Sequence, residues 1–218
     1  MTAPDAARRT HIAEMILRLR RAGITDRRVV SAIEAAPRDL FVPAEMHAEA
    51  YAEQALPIDC GQTISAPVIV GLMTAALDVG ADDRVLEIGT GTGYQTAILA
   101  RLARRVYTME RVRTLTAAAE SRFRTLRLAN ITTLVGDGIK GWPEQAPFDR
   151  IVVTAADEAV PEALLRQLRL GGVLVMPVGP PAGVQKLTRF ERGEDGFASQ
   201  VLADVRFVPL IPGKAQRL

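Results

Sequence analysis

Short apolar runs rich in β-branched residues recur through the second half of the chain and limit its fold more than any other feature. They are RVLEI (84–88), RVYTM (105–109), ITTLV (131–135), RIVVTA (150–155) and VLVMPV (173–178). Helical stretches separate most of them, at 94–102, 112–126 and 161–168. Alternating strands and helices form right-handed βαβ units, so we expect a doubly wound, mainly parallel α/β sheet with helices on both faces.

The first 77 residues follow a different pattern. Apolar residues between Ile12 and Leu19 recur at the spacing of one helix face. A second short helix is expected to begin near Thr25, which can cap it, and to end before Pro37. Residues 41–65 have no sustained period and are expected to be irregular, and a third helix is expected from about 67 to 77.

The C-terminal segment predicts a different kind of pairing. VQKLTRFER and ASQVLADVRFVP flank the turn-like GEDG, which indicates an antiparallel hairpin at the sheet edge. Without an internal repeat or low-complexity linker, the chain is expected to form one domain over 1–218. We divide it into N-terminal helices with a polar loop (1–65), an α/β core (66–180), and the hairpin with its tail (181–218).

Composition excludes several classes of protein. A net charge of +2 is too small to indicate a nucleic-acid partner. No apolar stretch is long enough for a membrane span and no signal-peptide pattern opens the chain, so we expect a cytoplasmic protein. The single Cys60 and two widely separated histidines, His11 and His47, argue against a disulfide and against a metal site.

The sharpest local motif is VLEIGTGTGYQ (85–95), where a predicted strand leads into Gly89, Gly91 and Gly93 and a helix follows. Glycines let the backbone turn tightly and lie against a ligand, although a tight turn alone also explains them. The GxGxG spacing differs from the GxGxxG of nicotinamide- and flavin-binding proteins. Glu87 precedes it, and a carboxylate there suits an ammonium group better than a pyrophosphate. The motif therefore favours S-adenosylmethionine.

Two further acids follow the next strands. Glu110 ends the second strand, where it can accept hydrogen bonds from both ribose hydroxyls. Asp137, in GDG after the third strand, can accept a hydrogen bond from an adenine amino group. Taken separately, Glu110 could favour a helix start through the macrodipole, and GDG could be a turn. Together at successive strand ends, the three motifs indicate a methyl-donor site.

The polar stretch GQTISAP (61–67) precedes the first strand of the α/β core. Ser65 is placed to cap a helix with Pro67 in its first turn, and such a helix start also suits an anion. No GxSxG motif or histidine base accompanies it, which argues against nucleophilic serine chemistry. VTAADEAVP after the fourth strand has no aromatic residue to stack a nucleobase. A carboxylate acceptor needs no base, since it is ionised at neutral pH.

The chain resembles the bacterial protein-L-isoaspartate (D-aspartate) O-methyltransferase family. The likeness covers about residues 12–212 and rests on ALPIDCGQTISAP, VLEIGTGTGYQTAILA, GDGIKGWPEQAPFDRIVVTAA, LLRQLRLGGVLVMPVG and VRFVPL. The glycine loop is shared by many methyltransferases, whereas GQTISAP with GWPEQAPFDRIVVTAA is more specific. The resemblance implies a class I methyltransferase (Rossmann-like) fold and S-adenosyl-L-methionine as methyl donor. It implies isoaspartyl proteins and peptides as acceptors, repaired through a succinimide.

The resemblance also implies roles for individual residues. Ser65 takes the position of the active-site serine, with Thr63 and Ile64 beside it in the substrate-binding loop. The positions that match the donor site are Glu87, Gly89, Gly91, Gly93, Glu110, Asp137 and Gly138. We expect Ser65 to orient the acceptor carboxylate with help from helix N–H groups. The tail beyond Gly213 has no counterpart, which leaves open whether it covers the site.

Two other readings remain open from the sequence. One is a class I methyltransferase that acts on a different peptide or on a small carboxylate. The other is a non-enzymatic binding protein that retains the fold. A dehydrogenase is disfavoured by the glycine spacing.

Overall fold

The computed structural model describes residues 3–215, with side chains from Arg8 onward. Its helices are α1 (Ala3–Arg21), α2 (Arg27–Glu34), α3 (Pro67–Leu77), α4 (Tyr94–Leu99), α5 (Arg113–Thr125) and α6 (Glu162–Gln167). Its strands are β1 (Leu56–Pro57), β2 (Thr63–Ile64), β3 (Arg84–Ile88), β4 (Arg105–Glu110), β5 (Ile131–Val135), β6 (Phe148–Val153), β7 (Leu168–Val178), β8 (Gln185–Arg192) and β9 (Phe197–Val205).

The main sheet has the strand order β5-β4-β3-β6-β7-β8-β9. The pairs from β5 to β7 are parallel, whereas β8 and β9 form an antiparallel hairpin that joins the sheet through β7. The predicted α/β architecture with a C-terminal antiparallel hairpin is therefore confirmed. Its chain order reverses at β3, and a ligand in such a sheet binds beyond the carboxyl ends of the strands near that reversal.

Both faces of the central strands are buried, which explains their continuous apolar sequences. In β3, Val85 packs into a cluster on one face that includes Met73 and Leu77 of α3. Leu86 faces the other way, into a cluster that includes Leu164 of α6. Alternation within one strand therefore anchors helices on opposite faces of the sheet.

The N-terminal helices form a third apolar cluster beside the sheet. Met15 and Leu19 of α1 and Ile33 of α2 are almost fully buried, and they share this cluster with Tyr94 and Ile98 of α4. The predicted helical N-terminal segment is confirmed. It is attached directly to the helix that follows the glycine loop.

Several local expectations were wrong. Helix α2 is capped by Asp26, not Thr25, because the Asp26 carboxylate accepts a hydrogen bond from the Arg28 N–H at 2.8 Å. Helix α4 ends at Leu99, before the expected residue 102. Strand β7 begins at Leu168 rather than 173, since an irregularity opposite Phe148 lets the extended chain include a glycine pair. Residues 41–65 hold short 3-10 turns and the small β1–β2 pair.

Candidate active site

A cleft of about 860 Å³, here called the main cleft, opens at the carboxyl ends of β3, β4 and β6. The loop after β3 forms its floor, from Gly89 to Thr92. GQTISAP, here called the hydroxyl loop (61–67), contributes the wall from Gln62 to Ser65. The segment 208–211 closes the opposite side. The cleft therefore lies where the strand order reverses, as expected for a ligand site.

The glycine loop has a backbone shape that larger residues would not adopt easily. Gly89 and Gly93 have φ values of +97° and +87°. A Cβ atom on Gly93 would lie 2.6 Å from the Phe123 ring of α5. Glycine at this position therefore allows α4 to start close against α5, with the loop turned toward the main cleft.

Glu110 lies on the wall of the main cleft at the end of β4 and is 7% exposed. One carboxylate oxygen accepts a hydrogen bond from the Gly91 N–H at 2.9 Å, and the other accepts from the Val112 N–H at 3.1 Å. The side chain therefore ties the glycine loop to the start of α5. A carboxylate has about four lone-pair sites, so both oxygens can accept a further hydrogen bond from a ligand.

Glu87 has a different environment from the one expected. Its side chain is fully buried and is not among the residues that line the main cleft. One oxygen, Oε2, accepts hydrogen bonds from the hydroxyls of Thr96 and Thr108, while Oε1 has no partner among the described residues. Burial raises the pKa of Glu87 to about 7. In this structure Glu87 therefore links β3 to α4 and β4 through these two threonines.

Asp137 and Gly138 follow β5, but only Gly138 lines the main cleft. The Asp137 Oδ1 atom accepts a hydrogen bond from the Ile139 N–H at 3.1 Å and caps a 3-10 turn. A Cβ atom on Gly138 would lie 2.4 Å from Ile88, so glycine is needed for close packing there. A turn at GDG is compatible with a ligand contact by Asp137, since its Oδ2 atom takes no part in the cap.

The hydroxyl loop brings its three predicted residues together at the main cleft. Thr63 and Ile64 form β2, and Ser65 follows, half-buried. The capping role expected for Ser65 was wrong, because the cap residue of α3 is Ala66, which makes no side-chain cap hydrogen bond. The serine hydroxyl is therefore not committed to the helix end.

The first turn of α3 is capped instead by the carboxylate of Glu53, which is remote in sequence. Both carboxylate oxygens of Glu53 accept from the Val68 N–H, at 3.0 and 3.3 Å. Pro67, the first residue of the helix, has no N–H to offer. The expected help from helix N–H groups in holding an acceptor anion is therefore reduced, since an internal anion already occupies the Val68 donor.

A second cavity of about 700 Å³, here called the side groove, adjoins the main cleft. The two cavities share Thr63, Ser65, Thr154 and Val208. The remaining wall of the side groove includes Ala55, Ile69 and the end of β9 with the residues after it, from Asp204 to Phe207. Ser65 thus lies at the boundary between the two spaces and lines both of them.

Sequence reasoning missed Thr154, which lines both cavities, and Arg111, which lines the main cleft. Thr154, at the end of β6, donates a hydrogen bond from its hydroxyl to the Gly89 carbonyl oxygen at 2.8 Å. Arg111 lines the main cleft, and its carbonyl oxygen accepts a hydrogen bond from the Ala215 N–H at 3.0 Å. Thr154 follows an apolar strand in IVVTAA, a position where a single polar residue at a strand end was the available signal.

The C-terminal segment crosses the site. The Ala156 N–H donates to the Val208 carbonyl oxygen at 2.8 Å, and the Leu210 N–H donates to the Ala156 carbonyl oxygen at 2.7 Å. Residues 208–211 thereby form a wall of the main cleft. Of the tail beyond Gly213, the structure describes only residues 214 and 215, of which Ala215 bonds to the Arg111 carbonyl oxygen; residues 216–218 lie outside the described part of the chain.

Between residues 3 and 215, no three His, Cys, Asp or Glu side chains lie close enough to hold a metal ion together. None of the helices in that range has the length and apolar character needed to cross a bilayer.

Comparison with known proteins gives a consistent result. The family model for protein-L-isoaspartate(D-aspartate) O-methyltransferase (PCMT) matches residues 10–215. The protein-L-isoaspartate O-methyltransferase of Maricaulis maris is 54% identical over 218 residues and covers 100% of both chains. That of Paracoccus denitrificans is 55% identical over 213 residues, or 98% of each chain.

Solved structures agree with this result. A protein-L-isoaspartate O-methyltransferase structure has a TM-score of 0.81 at 27% identity, over 91% of this chain and 65% of that one. A Plasmodium falciparum structure described as a putative member, in complex with S-adenosyl-L-homocysteine, has a TM-score of 0.78 at 24% identity, over 91% and 97% of the two chains. This chain belongs to the protein-L-isoaspartate(D-aspartate) O-methyltransferase family.

Proposed function

We propose that this chain is an S-adenosylmethionine-dependent protein carboxyl O-methyltransferase that acts on the α-carboxylate of isoaspartyl residues in damaged proteins and peptides. The observation that carries the proposal is the position of Ser65 at the boundary of the two cavities. A transfer reaction needs a donor and an acceptor that meet at one point. The main cleft would hold the donor, and the side groove would hold the acceptor chain.

The residues of the main cleft fit such a donor. The tight glycine loop leaves backbone surface open to the ligand, and Glu110 retains acceptor capacity for two ribose hydroxyls. Gly138 provides close backbone approach, and Asp137 would accept from the adenine amino group through its uncommitted oxygen. Glu87 would act indirectly, by fixing α4 and the loop through Thr96 and Thr108.

The hydroxyl loop would select and orient the acceptor. The Ser65 hydroxyl would donate a hydrogen bond to one oxygen of the isoaspartyl α-carboxylate, while Thr63 and Ile64 contact the chain on either side. The donor supplies an electrophilic methyl group on a sulfonium sulfur. A carboxylate is already ionised at neutral pH, so no general base is required. The protein would contribute alignment and exclusion of water.

The product would lead to repair without further help from the protein. In the methyl ester, the following backbone amide nitrogen attacks the ester carbonyl, methanol leaves, and a succinimide ring forms. Water then opens the ring at either carbonyl, which returns some residues to normal aspartate and others to isoaspartate. Repeated cycles would convert most of the damaged residues.

The same features bear on the domain organisation, location and acceptor class of the protein. We propose that residues 1–218 work as a single methyltransferase domain in the cytoplasm, with protein and peptide acceptors rather than nucleic acid or membrane. In the described chain, the side groove combines apolar residues such as Ile69 and Phe207 with an exposed rim. This composition suits a peptide segment better than a nucleic-acid backbone, which requires a basic surface.

The test uses two synthetic peptides that differ at one residue, isoaspartyl in one and aspartyl in the other. Each is incubated with the wild-type chain and with S-adenosylmethionine labelled in its methyl group. We expect labelled, base-labile ester on the isoaspartyl peptide only, followed by the appearance of aspartyl peptide. Equal labelling of both peptides would indicate a different carboxyl acceptor, and absence of labelling would indicate a protein that binds without turnover.

A further inference from the structure

Arg38 is a fully buried arginine behind the hydroxyl loop. Its Nε atom donates a hydrogen bond to the Ala50 carbonyl oxygen at 2.7 Å, and its Nη2 atom donates to the Ser65 carbonyl oxygen at 2.7 Å. The guanidinium carbon lies 4.8 Å from the centre of the Tyr94 ring. The third nitrogen, Nη1, has no hydrogen-bond partner among the described residues.

This guanidinium forms no ion pair within 4 Å of any described carboxylate, although Glu53 lies near enough to interact with it electrostatically. The neighbouring Asp39 is paired with Arg8 at 2.9 Å, and Glu53 is occupied with the Val68 N–H. Burial lowers the pKa of Arg38, as expected for a charge removed from water. A buried charge without an ion-pair partner costs free energy, which the two hydrogen bonds from Arg38 to carbonyl oxygens partly offset. Packing alone therefore does not explain an arginine here.

The hydrogen bond to Ser65 places this positive charge next to the hydroxyl loop. The guanidinium donates to the carbonyl oxygen of Ser65, the residue that lines both cavities. It holds the negative end of that peptide group on its own side, away from an incoming anion. Because the surroundings are apolar, the positive charge acts over a longer distance than it would in water. It also offsets the nearby negative charge of Glu53, whose carboxylate lies at the start of α3.

We propose that Arg38 is a positioning residue that makes the Ser65 boundary selective for an acceptor bearing a negative charge. This inference rests on the proposed function. It explains why the site would prefer a carboxylate to a neutral group. A serine hydroxyl alone can donate a hydrogen bond equally well to a neutral carbonyl group. Arg38 touches neither substrate and acts through the Ser65 backbone and through its field.

The experiment measures charge preference directly. Binding of two peptides is compared by calorimetry, one with an isoaspartyl α-carboxylate and one in which that carboxylate is an α-amide. The variants are Arg38→Met, Arg38→Gln and Arg38→Lys. Glutamine retains a hydrogen-bond donor but removes the charge, which keeps the test available if the methionine variant does not fold. Arg101→Met is the matched control, since Arg101 also donates to two carbonyl oxygens, those of Ala97 and Ala35, which lie outside the hydroxyl loop and both cavities.

We expect Arg38→Gln and Arg38→Met to weaken binding of the carboxylate peptide by about tenfold, as for the loss of one favourable charge at a partly screened distance. Binding of the amide peptide and of the methyl donor should stay within about twofold of wild type. Arg38→Lys should recover most of the preference, and Arg101→Met should keep it. KM for the isoaspartyl peptide should rise more than kcat falls.

The results that would overturn only the role of Arg38 differ from the result that would overturn the proposed function. Equal weakening of both peptides, or unchanged binding of the carboxylate peptide, would overturn the role of Arg38 and leave the proposed function intact. Failure of Arg38→Lys to recover the preference would also overturn it, since a positive charge would then not be the property that matters. A wild-type chain that does not distinguish isoaspartyl from aspartyl peptide would overturn the proposed function and, with it, this inference.

Discussion

The Thr154 hydroxyl donates to the Gly89 carbonyl oxygen at 2.8 Å and thereby joins the carboxyl ends of β6 and β3. A Cβ atom on Gly89 would lie 2.3 Å from the same hydroxyl, so a side chain at position 89 would displace it. Thr154 also lines both the main cleft and the side groove. The Ile88 carbonyl oxygen also lies 3.1 Å from this hydroxyl, so Thr154 ties the start of the glycine loop to the boundary where donor and acceptor would meet.

Replacement of Thr154 by valine keeps its shape and removes this hydrogen bond. Because the Gly89 carbonyl then loses its partner, we expect affinity for the methyl donor to fall roughly fivefold, in line with about 1 kcal/mol for a neutral hydrogen bond. Thr154→Ser should retain wild-type affinity. Thr188→Val is a suitable control, since Thr188 bonds within β8 outside both cavities. Unchanged donor affinity in Thr154→Val would show that the loop does not depend on this contact.

Gly93→Ala tests the close approach of α4 to α5. The new methyl group would lie 2.6 Å from the Phe123 ring at a φ of +87°, so it meets both a clash and a strained backbone. We expect a loss of about 3 kcal/mol in the free energy of unfolding, together with weaker donor binding. Gly171→Ala separates the two causes, because Gly171 has a φ of +71° with open space around it. Equal losses in the two variants would mean that packing against Phe123 contributes little.

Glu110→Ala removes the carboxylate that links Gly91 and Val112 and that faces the main cleft. We expect donor affinity to fall by roughly a hundredfold, as for the loss of charge-assisted hydrogen bonds. Equilibrium binding of S-adenosylhomocysteine is the measurement. Glu120→Ala is the matched control, because Glu120 bonds to Thr133 and lies outside the cleft. Wild-type affinity in Glu110→Ala would exclude ribose recognition by this residue.

Glu87 should make stability depend on pH. Burial raises the pKa of Glu87 from 4.5 to about 7, so between these values the folded chain holds a proton that the unfolded chain has lost. Its contribution to stability is therefore fully present below pH 4.5 and is lost as the pH rises through 7. The shift corresponds to roughly 3 kcal/mol. Urea unfolding of wild type and Glu87→Gln from about pH 4 to about pH 8 measures this contribution to the free energy of unfolding.

The variant is expected to lack this part of the pH dependence. The difference in unfolding free energy between wild type and Glu87→Gln should therefore move in favour of the variant as the pH rises. A difference that stays constant over the same range would mean that Glu87 keeps an ordinary pKa in the folded chain.

The α/β core was predictable from sequence because its determinants are local. Buried parallel strands need continuous apolar runs, and the turn into α4 needs glycines at fixed spacing, so both leave a signature within a few residues. Glu110 was also predictable, since a strand end defines its place. These features position the main cleft and most of its floor.

The remaining features depend on contacts between distant parts of the chain. Glu53 reaches the Val68 N–H across 15 residues, Arg38 reaches Ser65 across 27, and Thr154 reaches Gly89 across 65. No local pattern records such pairs, and for this reason Ser65 was wrongly assigned the cap of α3. The burial of Glu87 behind its own loop was missed for a related reason, since a strand-end position does not specify which side of the loop the carboxylate occupies.

Ser65→Ala gives the most direct test of the acceptor end of the site. The measurement is single-turnover methyl transfer to an isoaspartyl peptide, with donor affinity determined in parallel for wild type and variant. We expect the transfer rate to fall roughly tenfold to a hundredfold, as for a lost hydrogen bond to a charged group, while donor affinity stays within about twofold. An unchanged transfer rate, or an equal loss of donor binding, would contradict an orienting role for the Ser65 hydroxyl.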